Sequence, residues 1–465
     1  MPIEKKNKTT GSSYSDVRLP VSIRAFAPFY AASGLLSVFF GALAIYLDFF
    51  IVAATLFLVG LVVVPVLRAT DKIVFDGKRL IRTGLLPRMW LRANGMRTAL
   101  KLKNIEQVDT VTAGSFKRGG RVRYLHRTSV FGNAPAMVFS GTGRRYRRML
   151  RALLPTIEPH LLDRNSFSLR EHCVEPFEAI LAATELKIPP SDVLAPSILK
   201  KVNVRQNKTD VDVIGDVALA NRLRKAANQL SVTGSLIRAF EAYRRALLID
   251  KENAWLLFEF AQNCSALARV ERNGDLQHRA AAALRLAERR ANGDAELLER
   301  IGETYREFGY AKRAATAYQA AIEHIDNCFR ALIGLAELAL DDGRLAHVVH
   351  NFSAANRAIS SKALQKWTRS EADYFSRLTE DDEYMEIEVS RLNLVEKLDR
   401  WRGTAFRVAF YSLPLIVAGV LFSEPLVTDA GWLVSSIAFL LWAAMGIGFK
   451  MLSTRIPFEL VESDK

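Results

Sequence analysis

Residues 295–326 read AELLERIGETYREFGYAKRAATAYQAAIEHID, and this stretch decides the fold. Apolar and small residues recur three and four positions apart on each side of Gly309, as in two amphipathic helices joined by a tight turn. The residues that form this pattern are Leu298, Ile301, Gly302, Tyr305, Ala314, Tyr318 and Ala321. The stretch therefore predicts a helix–turn–helix unit.

The pattern is repeated in tandem on both sides of this stretch. A downstream copy has Leu332, Leu335, Ala336, Gly343, Phe352 and Ala355, and an upstream copy has Leu223, Ala226, Ala227, Leu230, Gly234, Ala239, Tyr243 and Ala246. A looser copy with Leu257, Phe260, Ala261, Cys264, Ala280, Leu284 and Ala287 lies between them, and it needs about seven extra residues near 269–277. Residues 220–362 thus resemble the tetratricopeptide repeat.

The resemblance implies an α-helical solenoid whose inner face binds another protein. In that family the first helix of each repeat lines the inner face, and the positions that point into it are Arg224, Asn228, Glu296, Glu299, Glu303, Arg306, Arg330, Ile333, Glu337 and Leu340. The last two repeats would present acids around Ile333 and Leu340, which suits a basic, partly apolar segment. Arg224 and Asn228 partly match repeats that hold a C-terminal carboxylate, but Glu296 departs from that pattern. An ordinary solvated helix face is the alternative.

Four apolar stretches predict two transmembrane hairpins. Residues 26–47, 49–67, 407–427 and 430–449 are each long enough to cross a ~30 Å hydrocarbon layer as a helix. The third is the weakest, because Arg407 must snorkel and Pro414 is expected to interrupt it; a buried amphipathic helix is its alternative. A cleaved signal peptide is disfavoured for the first, because a second apolar run follows at once.

Charge predicts the orientation of these hairpins. The two short turns carry only the acids Asp48, Glu424 and Asp429, whereas Lys and Arg are abundant in the other polar segments. The positive-inside rule therefore places both termini and residues 69–404 in the cytoplasm, with a bacterial inner membrane as the expected location. Residues 1–162 hold 25 Lys and Arg against 8 Asp and Glu, so the excess of +15 lies in the N-terminal third of the chain.

Residues 69–162 predict a small basic α+β domain. Alternating apolar residues at 73–83, 100–111, 122–130 and 136–139 indicate strands, and 144–154 indicates a basic helix that ends at Pro155. This order, directly after a transmembrane hairpin, resembles bacterial pleckstrin-homology-like domains of membrane proteins; another small α+β domain is the alternative. The helix carries the candidate lipid-binding residues Arg144, Arg145, Arg147, Arg148 and Arg151. Docking onto anionic membrane lipids and a merely solvated positive face remain equally open.

The remaining segments carry few signals. The sequence divides into an N-terminal segment (1–25), a hairpin (26–68), the basic domain (69–162), a connector (163–219), the repeats (220–362), C-terminal helices (363–404), a second hairpin (405–449) and a tail (450–465). A short helix is expected at 177–186, and a loop at 203–212. Helices are expected at 370–377 and 383–402.

Catalysis, cofactors and metals find little support. There is no Walker loop, GxSxG or HExxH. Gly141-Thr142-Gly143 superficially resembles a phosphate cradle, but a tight strand-to-helix turn is favoured. His347 and His350 lack further ligands, and the three cysteines suggest neither disulfides nor zinc. Nucleic-acid binding is disfavoured, because no recognisable module accompanies the positive charge.

These features predict a multi-domain integral membrane protein. The favoured function is a membrane-anchored scaffold that presents a cytoplasmic repeat groove to a protein partner, in an envelope or secretion-related complex. The alternatives are a transport or secretion component and, less favoured, a lipid- or glycan-modifying enzyme. Apart from Glu424, which belongs to the turn expected at 423–429, the apolar segments contain no internal Asp, Glu or Lys of the kind that marks a transport path.

Overall fold

A computed structural model describes residues 19–93, 98–117, 121–132, 136–199, 217–325, 328–359 and 361–453. The chain divides into two compact units. Unit 1 comprises Met1–Phe26 and Thr70–Ala372, and unit 2 comprises Ala27–Ala69 and Asp373–Lys465. The loop predicted at 203–212 lies outside the described residues.

The described part of the chain is mostly helical, with seven strands, of which β5 and β6 are the longest. The strands are β1 (Val21–Arg24), β2 (Lys72–Phe75), β3 (Arg79–Arg82), β4 (Ala99–Lys101), β5 (Ile105–Lys117), β6 (Arg121–Gly132) and β7 (Met137–Gly141). The helices are α1 (Pro28–Tyr46), α2 (Phe50–Leu58), α3 (Val64–Thr70), α4 (Leu85–Ala93), α5 (Arg144–Leu153), α6 (Arg164–His172), α7 (Pro176–Glu185), α8 (Ser191–Leu199), α9 (Val217–Val232), α10 (Leu236–Ile249), α11 (Ala254–Glu271), α12 (Gly274–Arg290), α13 (Ala295–Glu307), α14 (Ala311–His324), α15 (Phe329–Asp341), α16 (Leu345–Ala358), α17 (Lys362–Glu380), α18 (Asp382–Leu421) and α19 (Pro425–Leu452). A π-helical turn, Val59–Val63, joins α2 to α3.

Two antiparallel sheets, the short helix α4 and the C-terminal helix α5 form the basic domain. The sheets have the orders β1-β2-β3-β4 and β5-β6-β7, and the predicted β2–β3 hairpin is confirmed, with Val74 opposite Ile81. Helix α5 buries Tyr146, Met149 and Leu153 against the sheets, because these residues recur on one side of the helix. The domain therefore has an apolar core, which Leu169 of α6 and Leu364 of α17 extend.

The sequence missed two elements of this domain. Strand β1 belongs to the segment that was expected to be only an N-terminal lead-in, and it pairs with β2, Ile23 lying opposite Ile73. Helix α4 follows β3 where only a connection was expected. A four-residue strand is too short to show a clear period, and its partner strand lies beyond an entire helical hairpin.

Eight helices, α9 to α16, form four consecutive hairpins, which fits the predicted repeats. Tyr318 shows why small residues are needed: a Cβ added to Gly302 or Gly334 would lie 2.6 Å or 2.4 Å from its ring. The turns at Gly309 and Gly343 have φ of 78° and 71°, a region in which glycine is unstrained. The array is a tetratricopeptide-like helical solenoid.

The loose second repeat absorbs its extra residues as helix. Helix α11 has 18 residues and α12 has 17, against 13 and 14 in the next pair. Between α11 and α12 lie only Arg272, with φ of 50°, and Asn273. The insertion therefore lengthens the hairpin, and its loop stays short.

Unit 2 contains four helices that are long and apolar enough to cross a membrane, by length and composition. These are Pro28–Tyr46, Phe50–Thr70, Asp382–Leu421 and Pro425–Leu452. The rings of Phe39 and Phe439 lie 4.7 Å apart, and the Tyr46 hydroxyl donates a 2.6 Å hydrogen bond to Asp429. The N-terminal and C-terminal hairpins thus pack together.

Helix α18 corrects the expected break at Pro414. The helix runs without interruption through Pro414 and through the boundary expected near residue 404. A proline removes one backbone donor from a helix, but neighbouring helices can hold such a helix together. The third apolar segment, expected at 407–427, is therefore the second half of a 40-residue helix that ends at Leu421, and α19 already begins at Pro425.

Candidate functional site

The inner face of the repeats, formed by the first helices α9, α11, α13 and α15, contacts helix α6 of the same chain. Asp163 caps α6 by accepting hydrogen bonds from the backbone amides of Asn165 and Ser166. The backbone amide of Thr110 in β5 also donates to Asp163, at 3.1 Å. Helix α6 is thereby fixed to the sheet of the basic domain.

Buried hydroxyls reinforce this attachment. The Thr110 hydroxyl lies 2.8 Å from that of Ser166 and 3.0 Å from that of Thr128. The Thr128 hydroxyl lies 2.6 Å from that of Tyr146 in helix α5. A continuous chain of hydroxyls therefore joins α6, the sheet and α5. Fully satisfied buried networks of this kind hold their members in one geometry.

The opposite side of α6 contacts the repeats. The guanidinium of Arg300 lies 3.8 Å from the ring centroid of Phe167, a favourable cation–π arrangement. Arg164, the first residue of α6, forms an ion pair with Glu307 at the end of α13. Phe167, Glu171 and residues of α9, α11 and α13 line a cavity of about 260 Å³. Helix α6 thus covers the inner faces of the first three repeats.

A buried charge network joins the third and fourth repeats. Arg330 of α15 pairs with Glu299, at 3.2 Å, and with Glu303 of α13, and it also donates to the Leu162 carbonyl. Burial raises the pKa of Glu299 to about 7, and the neighbouring Glu303 carboxylate also raises it, while Arg330 opposes them. The acids expected to attract a partner are therefore largely neutralised within the chain.

The other predicted partner-binding residues divide into engaged and accessible groups. Arg224 donates two 2.7 Å hydrogen bonds to Glu259, and Arg306 pairs with Glu337. Asn228 accepts from the Tyr243 hydroxyl. The accessible members are Glu296, Leu340 and the half-buried Ile333.

Two of these ten positions are buried, contrary to the expectation of an open inner face. The exposed fraction is 5% for Asn228 and 9% for Glu299. Asn228 faces a tyrosine of its own repeat, and Glu299 faces an arginine of the next. Reversing the charge of Glu299 would therefore disturb packing, contrary to the expectation for a solvated position.

The five arginines of helix α5 also divide. Arg147 pairs with Glu175, at 2.5 Å, and Arg151 donates to the Cys173 carbonyl, at 2.8 Å. These two side chains hold the connector against the basic domain. The remaining three, Arg144, Arg145 and Arg148, are exposed. Only this exposed part of the set is free to meet a membrane surface.

Sequence reasoning missed the role of helix α6. Its residues RNSFSLREH have no strong apolar stripe, and the segment looked like a connector. One available signal was Asp163, since an Asp placed before such a run is a favoured N-cap. That signal indicates a helix, but it does not identify the surface on which the helix lies.

The described residues contain no group of three or more His, Cys, Asp or Glu placed to hold a metal ion. His347 and His350 are exposed. Cys173, Cys264 and Cys328 are buried and free, and burial raises the pKa of the Cys173 thiol to about 11. Burial raises the pKa of the other two thiols as well, so all three are protonated near neutral pH. Cys173 and Cys264 serve as small packing groups, whereas the Cys328 thiol donates to Glu299, at 3.3 Å.

Comparisons with known proteins add little. No protein-family model matches the chain. A comparison with curated proteins finds no match. Among solved structures, the chain is similar to one described as the crystal structure of MamA, with 18% sequence identity, coverage of 30% of this chain and 77% of that chain, and a TM-score of 0.26. A TM-score this low carries no argument about the fold. The repeat fold is inferred instead from the helical hairpins, glycines and tyrosines described above.

Proposed function

We propose that this protein is a membrane-anchored scaffold whose repeats bind a protein partner in the cytoplasm. The observation that carries this proposal is the contact between the repeats and helix α6. An inner face that holds one short helix through Arg300, Glu307 and neighbouring residues has the chemistry to hold another peptide. Helical repeats generally use such extended faces for binding.

The partner would bind near the uncovered C-terminal part of α15. A groove of about 310 Å³ lies between α13, α15 and the start of α6, and it is lined by Ile333 and Glu337 among others. Leu340 lies two turns beyond Ile333 on α15 and is 43% exposed. Leu340 lies beside the exposed Asp341, and an exposed leucine next to an exposed acid suits a partly apolar, basic segment.

Membrane anchoring is the second part of the proposal. The four apolar helices of unit 2 support it by their length and composition. The distribution of Lys and Arg supports a topology with both termini and residues 69–404 on the cytoplasmic side. The bacterial inner membrane and an envelope or secretion-related complex are the proposed setting.

The basic domain would dock onto anionic lipids. Arg144, Arg145 and Arg148 form an exposed strip on α5, and each such charge near an anionic leaflet contributes on the order of 1 kcal/mol. The order of strands and helix supports a pleckstrin-homology-like domain. This proposal assigns the protein no catalytic role.

The partner site is tested by crosslinking in intact cells, followed by purification of the full chain from membranes. Leu340 is exposed, so Leu340→Lys should keep the fold. The variant should lose most of the crosslinked partner. Leu248→Lys is the matched control, because Leu248 is also 43% exposed but lies on the second helix of the first repeat. Equal recovery of partner with the wild type and Leu340→Lys would rule this site out.

Anchoring itself requires that the protein stay in the membrane pellet after an alkaline carbonate wash.

A further inference from the structure

A second cavity lies away from the partner groove, where the basic domain, the connector and the first repeat meet. Its volume is about 510 Å³, within the range of small-molecule sites. The turn of the first repeat closes one side, since the Val122 amide donates a 2.9 Å hydrogen bond to the Gly234 carbonyl. A Cβ on Gly234 would lie 1.9 Å from the Val122 oxygen, so backbones meet there directly.

The charge of this cavity is unbalanced. Four arginines line it: Arg121 and Arg123 from β6, Arg147 from α5 and Arg238 from α10. Among the described residues, no Asp or Glu lines it. Arg147 is paired with Glu175, but Arg121, Arg123 and Arg238 form no ion pair within the described part of the chain. Positive charges that are grouped without counter-charges favour an anionic ligand.

Two of these arginines also have unused donors. The Nη2 atom of Arg238 donates to the Ile188 carbonyl, at 3.0 Å, while its Nε is buried without a partner in the structure. The Nε of Arg147 is likewise buried and unpartnered. A buried donor that lacks an acceptor costs about 1–3 kcal/mol. An acceptor supplied by a ligand would remove that cost.

Burial and the nearby Arg121 lower the pKa of Arg238, which is the direction expected for a cation that lacks a counter-ion. Burial, with a contribution from Arg147, lowers the pKa of His126 to about 4, so this ring is neutral near neutral pH. Burial raises the pKa of Tyr124 to about 12, so its hydroxyl remains a donor. The positive charge of the cavity therefore belongs to the arginines.

We propose that this cavity binds a phosphorylated ligand. Guanidinium groups present forked donors that match phosphate oxygens, and Thr142, in the Gly-Thr-Gly turn before α5, adds a hydroxyl to the lining. The apolar wall formed by Leu169 and Ile180 would contact the rest of the molecule. The phosphate can come from a soluble compound or from a lipid headgroup. This site is independent of the partner groove.

Calorimetry on the full chain in neutral detergent and phosphate-free buffer, with pyrophosphate as the probe, tests the proposal. Arg238→Gln and Arg121→Gln should each weaken binding about tenfold or more, because each removes a charged hydrogen-bond donor. Arg121 is exposed and unpaired, so its replacement should leave the thermal unfolding midpoint unchanged. Arg285→Gln removes the same charge from an exposed position on α12 and should leave binding unchanged.

The source of the phosphate is then distinguished in nanodiscs. If a lipid headgroup is the natural ligand, phosphatidic acid in the disc should compete with pyrophosphate and weaken its apparent binding relative to pure phosphatidylcholine. If the ligand is soluble, the two discs should give the same affinity. The proposal is overturned if pyrophosphate does not bind, if citrate binds as tightly, or if Arg285→Gln weakens binding as much as the two cavity variants do.

Discussion

The first three repeats and the end of the fourth repeat present inner faces of opposite character. In the first three, helix α6 covers the inner face, and Phe167 lies under Arg300 at 3.8 Å. At the end of α15, Leu340 is 43% exposed. Both regions follow the same repeat pattern. The comparison shows that an inner-face position in a repeat is defined by sequence, whereas its accessibility depends on what the rest of the chain places against it.

The largest effect is expected from Arg330, which connects the covered region to the fourth repeat. Arg330→Met should leave Glu299 and Glu303 without their shared partner and lower the local opening free energy of α13 and α15 by about 3–5 kcal/mol. Hydrogen exchange of their backbone amides measures this change. Arg313→Met is the control, and it removes a half-exposed ion pair in which Arg313 and Glu288 lie 3.8 Å apart. The local opening free energy should then fall by less than about 1 kcal/mol. Equal effects of the two variants would show that the network does not join the repeats.

The pH dependence of the unfolding free energy would sharpen the same comparison. Burial raises the folded-state pKa of Glu299 from 4.5 to about 7, so the folded state retains a proton that the unfolded chain loses. The stabilisation is complete below pH 4.5 and is lost as pH rises through about 7, with a slope of at most about 1.4 kcal/mol per pH unit. Glu303, Arg330, Arg300 and Cys328 are the groups that face this carboxyl.

The test compares the unfolding free energies of the wild type and Glu299→Gln between pH 3.5 and 8, about one pH unit beyond the transition from 4.5 to about 7 on each side. The difference between the two unfolding free energies reports on Glu299, because the other buried acids contribute equally to both proteins. Asp163 is one of these acids, and burial raises its pKa as well. The wild type should lose stability relative to Glu299→Gln as pH rises. A difference that does not change with pH would show that folding leaves the pKa of Glu299 unshifted.

The smallest effect is expected at the covered face itself. Phe167→Leu keeps apolar volume but removes the ring under Arg300, which should cost about 1 kcal/mol and speed amide exchange in α6. Phe177→Leu is the matched control, because Phe177 is 74% exposed and its replacement should change little. If α6 exchanges at the same rate in both variants, the ring contact does not hold the helix on the repeats.

Much of the fold was predictable because its signals are local. The spacing of Tyr305, Tyr318 and the small residues around them predicts the helical hairpins, and the structure packs Gly302 and Gly334 against the Tyr318 ring. Strand alternation predicts the strands of the basic domain, but not their division into two sheets. Strand β1 and helix α4 were missed, because the first pairs across a helical hairpin and the second has no signal that distinguishes it from a connection.

The candidate partner site was predictable only in part. The resemblance to the repeat family implies which positions face inward, Glu299 and Arg330 among them. It does not show that these two pair with each other, nor that Asn228 accepts from a tyrosine of the same repeat. The arginine cavity had one weak signal, the Gly-Thr-Gly turn, because its four arginines come from three separate segments of the chain.

The sequence by itself determined the helical repeats, the four apolar helices and the concentration of positive charge in the N-terminal third. Each of these depends on residue types within a few turns of the chain or on composition. Only the tertiary structure decided which charged side chains are paired within the chain and which remain available to a partner. Arg164 and Glu307 are 143 positions apart, yet they pair, and such long-range pairing leaves no period in the sequence. Whether an inner-face residue is free or occupied is therefore a property of the assembled fold.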